Sequence, residues 1–337
     1  MRTIRPIFLL LGLCLGLASL HAQDIHFSQW YRSPQNLNPA LSGVFKGDYR
    51  FSGIFRSQWS SIPVPYQTFT ANLDMKLPVR LGKNGFLAAG GLMNVDKAGD
   101  SEMRAIEVGA SGSAGYFLTD GFAVSVGASV GYLNRQFNFD QLTFNEQFDG
   151  EIFNASNPTG ETDLNNTQNQ LRIGGGLNAH LRIKDRRTQV NLGAGFHNIN
   201  QPDVRFGPTP AVLSMRNSYY LQGAVEILPM LDIAFGQVYQ TQGPYQENVS
   251  GGTIRYYLNP TKTNELMLGL GTYARWGDAL IPTLEVRYQG WEAALTYDIN
   301  TSDLQAATNR RGGPEISLTY ILARVEPPPV FKACPIF

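Results

Sequence analysis

The sequence predicts an all-β protein, a single-chain antiparallel transmembrane β-barrel of about 14 strands in a bacterial outer membrane. Three observations carry this prediction. Only 16% of the residues are charged, while glycine (35), phenylalanine (19) and tyrosine (15) are abundant. After the first residues, no run approaches the roughly 18 consecutive apolar residues of a membrane-spanning helix. Apolar side chains instead alternate with polar or small ones, which is the period of a β-strand.

Residues 1–22 have the three parts of a secretory signal peptide. Arg2 and Arg5 supply the positive start, an apolar run follows, and small residues end the segment. The apolar run is too short to span a bilayer comfortably, so we predict cleavage between Ala22 and Gln23 rather than a retained anchor. The mature chain then keeps one cysteine, Cys334, and cannot form an internal disulfide.

The alternation is clearest in four segments, residues 122–132, 169–183, 291–300 and 314–322. In the first, one face carries Phe122, Val124, Val126, Ala128, Val130 and Tyr132, and the other carries only alanine, serine and glycine. Further alternating runs begin near Asp48, Tyr66, Gly85, Glu102, Val190, Ser218, Leu231, Gly252, Glu265 and Leu280. Many have the ~9–11 residues that a tilted strand needs to cross a bilayer.

The connections separate a membrane barrel from a soluble β-sandwich, which would also alternate. If the first strand starts in the periplasm, the predicted periplasmic turns are residues 76–84, 119–121, 184–187, 229–230, 259–263 and 289–290. The predicted outer loops are residues 60–65, 96–101, 138–168, 199–217, 241–250, 276–279 and 301–312. The longest connections all fall on the outer side, as in bacterial barrels. An even number of strands places both termini in the periplasm.

The predicted lumen wall carries charges of both signs and a lane of small residues. Its charged residues are Arg50, Arg56, Asp74, Glu107, Arg172, Arg182, Asp232, Glu265, Arg275, Glu285, Arg287, Glu292 and Asp298. A hydrated lattice of ion pairs and a charged substrate path both fit this pattern. The small residues, Gly91, Gly109, Ser111, Ser113, Ser125, Gly127 and Ser129, leave room for an inserted loop or for the amino-terminal segment.

Catalysis is not predicted, and neither is a cofactor or a metal site. The mature chain has three histidines, His26, His180 and His197, and no carboxylate or cysteine stands at ligand spacing beside the last two. No nucleophile, zinc or phosphate-binding motif is present. With 27 basic and 27 acidic residues, the chain has no charge excess for a nucleic-acid partner.

Ordered short motifs give the chain a family resemblance. The mature start reads Q-D-x-x-F-S-Q, an L-N-P-A-x-x-G element follows, and an R-x-Q-W element comes next. The matching residues are Gln23, Asp24, Phe27, Ser28, Gln29, Leu37, Asn38, Pro39, Ala40, Gly43, Arg56, Gln58 and Trp59. Residues 137–150 and the closing segment 313–322 are similar to later parts of the same family. In these features the sequence resembles the PorP/SprF family of outer-membrane proteins of the type IX secretion system.

The resemblance implies a non-enzymatic outer-membrane component of a type IX secretion or gliding apparatus. It implies that the protein assists export or surface attachment of secreted proteins such as adhesins. The implied partners are outer-membrane lipid, translocon or periplasmic ring subunits, and a secreted surface adhesin. A porin or a hydrophobic-solute channel is the alternative that the barrel pattern alone leaves open.

We therefore divide the chain into four parts. These are a signal peptide (residues 1–22), an amino-terminal strap that is periplasmic or inserted into the lumen (23–47), the barrel (48–323), and a proline-rich periplasmic tail (324–337). In the strap, Phe27, Trp30 and Tyr31 are expected to bury against the barrel wall or a partner, because an exposed aromatic trio favours aggregation. Asn38 and Pro39 are expected to form a turn there.

Overall fold

A computed structural model describes residues 24–58, 66–79, 81–98, 103–137, 142–160, 166–205, 211–259, 265–303 and 305–323. The predicted signal peptide, the cleavage position at Ala22 and Gln23, and the tail with Cys334 lie outside the described residues. The prediction of an all-β antiparallel barrel is confirmed, because fourteen strands close into one sheet. Each strand pairs antiparallel with the next, and the last pairs with the first.

The strand bounds agree with the predicted alternating runs in most cases. The strands are β1 (Tyr49–Gln58), β2 (Tyr66–Lys76), β3 (Gly85–Ala98), β4 (Met103–Thr119), β5 (Phe122–Gln136), β6 (Thr167–Arg182), β7 (Gln189–His197), β8 (Arg216–Leu228), β9 (Leu231–Gln242), β10 (Tyr245–Asn259), β11 (Leu266–Arg275), β12 (Ala279–Tyr288), β13 (Trp291–Asn300) and β14 (Arg311–Leu322). Short helical segments are Trp30–Arg32, Pro34–Leu37, Pro39–Leu41, Asn145–Gln147 and Gln305–Thr308. Within the described ranges, no helix is long and apolar enough to cross a bilayer.

The barrel is apolar outside and polar inside. Phe51 and Phe55 on β1 point outward and are each 45% exposed, whereas Arg56 next to them points inward and is 2% exposed. The same alternation runs through the other strands, so the buried residues of the wall are largely serine, threonine, asparagine and charged residues. This inversion of a soluble core is what a hydrocarbon surrounding requires, because there the outer face meets lipid.

The two ends of the barrel differ in their connections. At one end, which we call the short-turn end, β8–β9 and β12–β13 are joined by two residues each, Pro229–Met230 and Gln289–Gly290. The opposite end, the long-loop end, carries the connections 137–166 and 198–215. In the second of these, Val204 and Leu213 pack on Leu133 of β5. The longest connections therefore lie at one end, as expected from the sequence, although β9 and β10 are joined at that end by only two residues.

One outer loop and one lane residue were predicted wrongly. Residues 241–250 do not form a loop, because β9 and β10 stay paired up to Gln242 and Tyr245 and turn through Gly243 at φ 56°. Polar residues on both faces concealed this extension of the hairpin, so β10 begins seven residues before the predicted Gly252. In β3, Gly90 lies beside the strap residue Gln35, so its neighbour Gly91 faces outward rather than into the lumen.

Candidate functional site

The described part of the strap, residues 24–47, lies inside the barrel. Near the short-turn end, the Gly43 N–H donates to Asp74 Oδ2 of β2 (2.7 Å). At the long-loop end, the Asp24 N–H donates to Gln242 Oε1 of β9 (2.8 Å). Between these points nearly every strap residue is buried. The strap therefore crosses the lumen from one end to the other.

The path of the strap sets the two ends of the described chain apart, and the periplasmic location of both termini stays a prediction. β1 begins and β14 ends at the short-turn end, yet Asp24 bonds to the last residue of β9 at the long-loop end. The described chain thus starts and finishes at opposite ends of the barrel. The physical reason is that the strap's polar backbone and side chains find their partners on the lumen wall over its full height.

Ser28 and Gln29 form the most connected part of the strap, which we call the latch. Their backbone N–H groups donate to the two carboxylate oxygens of Glu315 on β14, at 2.8 and 2.7 Å. The Ser28 hydroxyl donates to Asp298 Oδ1 (2.6 Å), and Ser317 donates to Gln29 Oε1 (2.6 Å). Two adjacent amides on one carboxylate hold the strap backbone in a single position.

A buried ion-pair network surrounds the latch. Arg56 of β1 donates to Asp298 Oδ2 (2.8 Å), and Arg275 of β11 donates to the same oxygen (3.0 Å) and to the Ser28 hydroxyl (2.7 Å). Each of these charged side chains is at most 6% exposed. Buried charges are tolerated when they are paired and hydrogen-bonded, as they are here.

Arg32 fastens the middle of the strap to β12 and β13. Its guanidinium pairs with Glu285 (3.1 Å) and Glu292 (2.8 Å). Burial by itself would lower the pKa of Arg32, but Glu292 and Glu285 outweigh burial and raise that pKa above its usual range. Arg32 is therefore permanently charged, and the two carboxylates also bind Arg255 and Arg287 of the wall.

Asn38 and the turn that follows it contact the β5–β8 side of the barrel wall. Asn38 Nδ2 donates to the Leu177 carbonyl and to the Tyr220 hydroxyl, both at 2.9 Å, and Asn38 Oδ1 accepts from the Ala40 N–H (2.8 Å). Pro39 is buried and follows directly as the first residue of a short 3-10 turn. Asn38 thus caps a turn and ties it to two strands.

The aromatic residues of the strap pack into an apolar cluster within the lumen. Trp30 is 5% exposed and stands edge-on to Tyr31, whose ring stacks on Tyr273 of β11 at 5.3 Å. The cluster also contains Leu37, Leu41, Tyr220, Val238, Val249, Ala279 and Ile281. Phe27 is 4% exposed. The structure places all three predicted aromatic residues in the interior.

Small residues on the wall make space for the strap backbone. A methyl group on Gly127 would clash with the backbone of Pro39 and Ala40, and one on Gly176 would clash with Asn38. Of the predicted lane, Ser111, Ser113 and Ser125 also contact the strap by hydrogen bonds, at 2.9, 2.7 and 2.8 Å. Residues 38–42 of the strap thus pack against the lane of small residues.

At the long-loop end the strap begins in a charged setting. Asp24 pairs with Arg172 of β6 and also accepts from Asn198 Nδ2 (2.9 Å). Burial would raise the pKa of Asp24, yet Arg172 and Arg216 hold that pKa below its usual range. Burial lowers the pKa of His26 to about 4, against the opposing effect of Glu247. Residues 24–26 line a cavity of about 230 Å³ at this mouth.

Several residues of this site were not singled out from the sequence as contacts, namely Ser28, Gln29, Arg32, Gln35 and Asn36. The signal was present as an unusual run of polar residues in a segment without charge clusters or strand period. Predicted lumen residues Arg50, Arg56, Asp74, Glu107, Arg172, Arg275, Glu285, Glu292 and Asp298 take part in the strap and its network. Among the described residues, no group of histidine, cysteine and carboxylate side chains could hold a metal ion.

Comparison with solved structures supports the fold. The Ralstonia pickettii toluene transporter TbuX aligns with a TM-score of 0.51 at 9% identity, over 86% of this chain and 92% of that chain. A deltaS2S3 mutant of the TodX monoaromatic hydrocarbon channel gives 0.48 at 10% identity, over 84% and 92%. The CymD monoaromatic hydrocarbon channel gives 0.47 at 12% identity, over 87% and 93%. Of these, the likeness to TbuX bears on this chain, and at 9% identity it concerns the fold alone.

Comparison with sequences gives one result. A family model described as type IX secretion system membrane protein PorP/SprF matches residues 19–320. No curated protein sequence matches the chain.

Proposed function

This chain belongs to the PorP/SprF family of type IX secretion system membrane proteins, and we propose that it works there as a plugged, non-enzymatic barrel. In this proposal the barrel is an integral outer-membrane component that assists export or surface attachment of secreted proteins such as adhesins. Family membership supports the secretion role, and the filled lumen supports the way in which the role is performed.

The observation that carries the proposal is the strap inside the lumen. Residues 24–43 bond to β2, β9 and β14 and bury an apolar cluster against β8 to β12. A diffusion porin needs a continuous water path, and here the path is occupied by packed side chains and a buried ion-pair network. A barrel of this kind acts through its two ends and its lipid-facing wall rather than as a conduit.

The two ends suit different partners. The long connections face one compartment and offer variable surface for a secreted adhesin, while the short turns face the other and offer a compact surface for translocon or periplasmic ring subunits. The outward apolar wall is the surface for outer-membrane lipid. The proposed role needs no catalytic group.

Affinity purification from the outer membranes of the protein's own host tests the proposal. The detergent-solubilised barrel is purified by an affinity tag, and bound proteins are identified by mass spectrometry against a host barrel of similar size with the same tag. We expect translocon or ring subunits, or a large surface protein, only with this barrel. Recovery of the barrel alone, in the same detergent and yield, contradicts the secretion role.

Conductance in a planar bilayer tests the plugged state separately. We expect the purified barrel to conduct ions far less than an open porin of fourteen to sixteen strands measured beside it. High, steady conductance or selective passage of an apolar solute would favour the channel alternative. Such a result would leave the partner experiment to decide whether secretion remains its role.

A further inference from the structure

The latch bonds to the strand that is farthest from it in sequence. Ser28 and Gln29 are separated from Glu315 and Ser317 by 286 to 288 residues, yet four hydrogen bonds of 3.0 Å or less join the two segments. The strap leads directly into β1, which begins at Tyr49. One short segment is therefore attached covalently to the first strand and by hydrogen bonds to the last.

The same residues lie at the seam where the barrel closes. β1 and β14 pair from Tyr49 opposite Leu322 to Arg56 opposite Glu315. Arg56 also donates to the His26 carbonyl (2.7 Å), so the end of the seam, the strap and the last strand meet at one point. No other pair of neighbouring strands joins the two ends of the barrel sequence.

Glu315 shows that the seam is incomplete without the strap. Its side chain is 1% exposed, and its closest cation is Arg56 Nε at 3.7 Å, beyond hydrogen-bond length. Both carboxylate oxygens are satisfied by the latch amides. A barrel that closed with an empty, water-filled lumen would lack both of these bonds and would leave Glu315 with water and the Arg56 guanidinium at 3.7 Å.

We propose that the strap is the template on which the barrel closes: the latch binds Glu315 before the seam forms and brings β14 to β1. Closing a chain across its full length has the largest entropy cost of any pairing in the barrel. Latch binding meets that entropy cost first, with four hydrogen bonds, and leaves the pairing of β14 with β1 as a local step, because the latch segment is already joined to the first strand. This inference concerns assembly and does not depend on the proposed function.

Folding kinetics of two matched variants test the template. Ser317→Ala removes one buried hydroxyl bond between the strap and β14 (2.6 Å), and Ser125→Ala removes one between the strap and β5 (2.8 Å). The full mature chain is unfolded in urea and refolded in lipid vesicles. The closed barrel is followed by its faster migration in unboiled gels, and strap docking by fluorescence of the buried Trp30 in a background in which Trp59, Trp276 and Trp291 are replaced by phenylalanine.

We expect Ser317→Ala to slow closure by about fivefold, the size of one lost hydrogen bond, with little change in the unfolding rate. Ser125→Ala should leave the closure rate within about twofold and act mainly on unfolding. Glu315→Gln should slow closure further. If Glu315→Gln fails to fold, Ser317→Ala decides alone. Equal closure rates for the wild type and Ser317→Ala overturn the proposal.

Discussion

At the residue scale, glycine sets how closely the strap approaches the wall. Gly127 of β5 and Gly195 of β7 leave no room for a methyl group, because the strap backbone at residues 37–40 lies against them. Gly43 makes the turn out of the lumen at φ 76°, a conformation that L side chains rarely adopt. These glycines are therefore part of a binding surface rather than points of flexibility in the strands.

A glycine substitution gives a prediction at this scale. We expect Gly127→Ala to lower the free energy of unfolding by about 1–3 kcal/mol, because the added methyl overpacks the contact with Ala40. Gly112→Ala on β4 is the control, since its nearest neighbour atom would be the Ala88 carbonyl oxygen at 4.0 Å. Urea titration in detergent micelles measures both. Equal losses for the two variants would show that the strap does not rest on Gly127.

His26 gives a prediction about pH. Burial lowers the pKa of His26 to about 4, whereas a histidine in the unfolded chain titrates near 6.5. Above pH 6.5 the residue is neutral in both states and has no effect. As the pH falls from 6.5 to 4, the unfolded chain takes up a proton that the folded chain does not, so the free energy of unfolding decreases.

We therefore expect His26→Gln to lose less stability than the wild type between pH 6.5 and 4. The charged groups around His26 are Glu247, Arg56, Arg275 and Asp298, and the variant retains all of them. Titration of Asp24 does not interfere with this comparison. Its pKa is held below the usual range, so the stability that its carboxylate contributes is lost only at lower pH. Urea titrations of both proteins at several pH values measure the free energy of unfolding. If that free energy depends on pH in the same way in the wild type and in His26→Gln, the burial of His26 is contradicted.

At the element scale, the strap is a segment without strand period that is held by a sheet. Its three short helical turns are closed by backbone hydrogen bonds within the strap, and many of its polar side chains bond to the wall. Its conformation is therefore set by these local turns together with the barrel around it. In the reverse direction, the wall depends on the strap, because residues such as Glu285, Asp298 and Glu315 are buried beside it.

A designed disulfide tests the position of the strap. Ser42 and Ser111 have their hydroxyl oxygens 2.9 Å apart, so Ser42→Cys with Ser111→Cys should form a disulfide in a chain that also carries Cys334→Ser. We expect nearly complete oxidation, seen as a cross-linked peptide by mass spectrometry. The control pairs Ser42→Cys with Ser250→Cys of β10. Free thiols in the first pair, with folded protein, would place the strap elsewhere.

At the scale of the whole molecule, the strap gives the barrel a direction. The chain enters at the long-loop end, crosses the lumen, and then builds a wall whose last strand ends at the short-turn end. In a bacterial outer membrane the long loops face outward. With that orientation, we expect the amino-terminal end of the described strap to open to the cell surface at the cavity lined by Asp24 and His26.

Surface labelling of intact cells tests this direction. In the Cys334→Ser background, a small charged thiol reagent that does not cross membranes should label Ile25→Cys, which lines the outer cavity, and Gln246→Cys on the adjacent hairpin. It should not label Asp185→Cys, in a short turn, until the cells are opened. Labelling of Gln246→Cys without Ile25→Cys would mean that the start of the strap is closed to the surface. Labelling of Asp185→Cys alone would show that the barrel has the opposite orientation in the membrane.

The sequence by itself determined the class of the fold, the number of strands and most of their bounds. The reason is local: an apolar face that meets lipid and a polar face that meets the lumen leave a period of two along every strand. The prediction failed where this contrast weakens, as at residues 241–250, most of which are polar.

Only the tertiary structure decided where the strap lies, in which direction it runs and what it binds. Its partners, from Asp74 to Ser317, are spread over most of the chain, and no local period brings them together. Closure of the barrel does so, because it sets inward side chains of distant strands around one lumen. The pairing of Glu315 with the latch joins residues 286 and 287 positions apart, which is why a sequence pattern confined to neighbouring residues does not contain it.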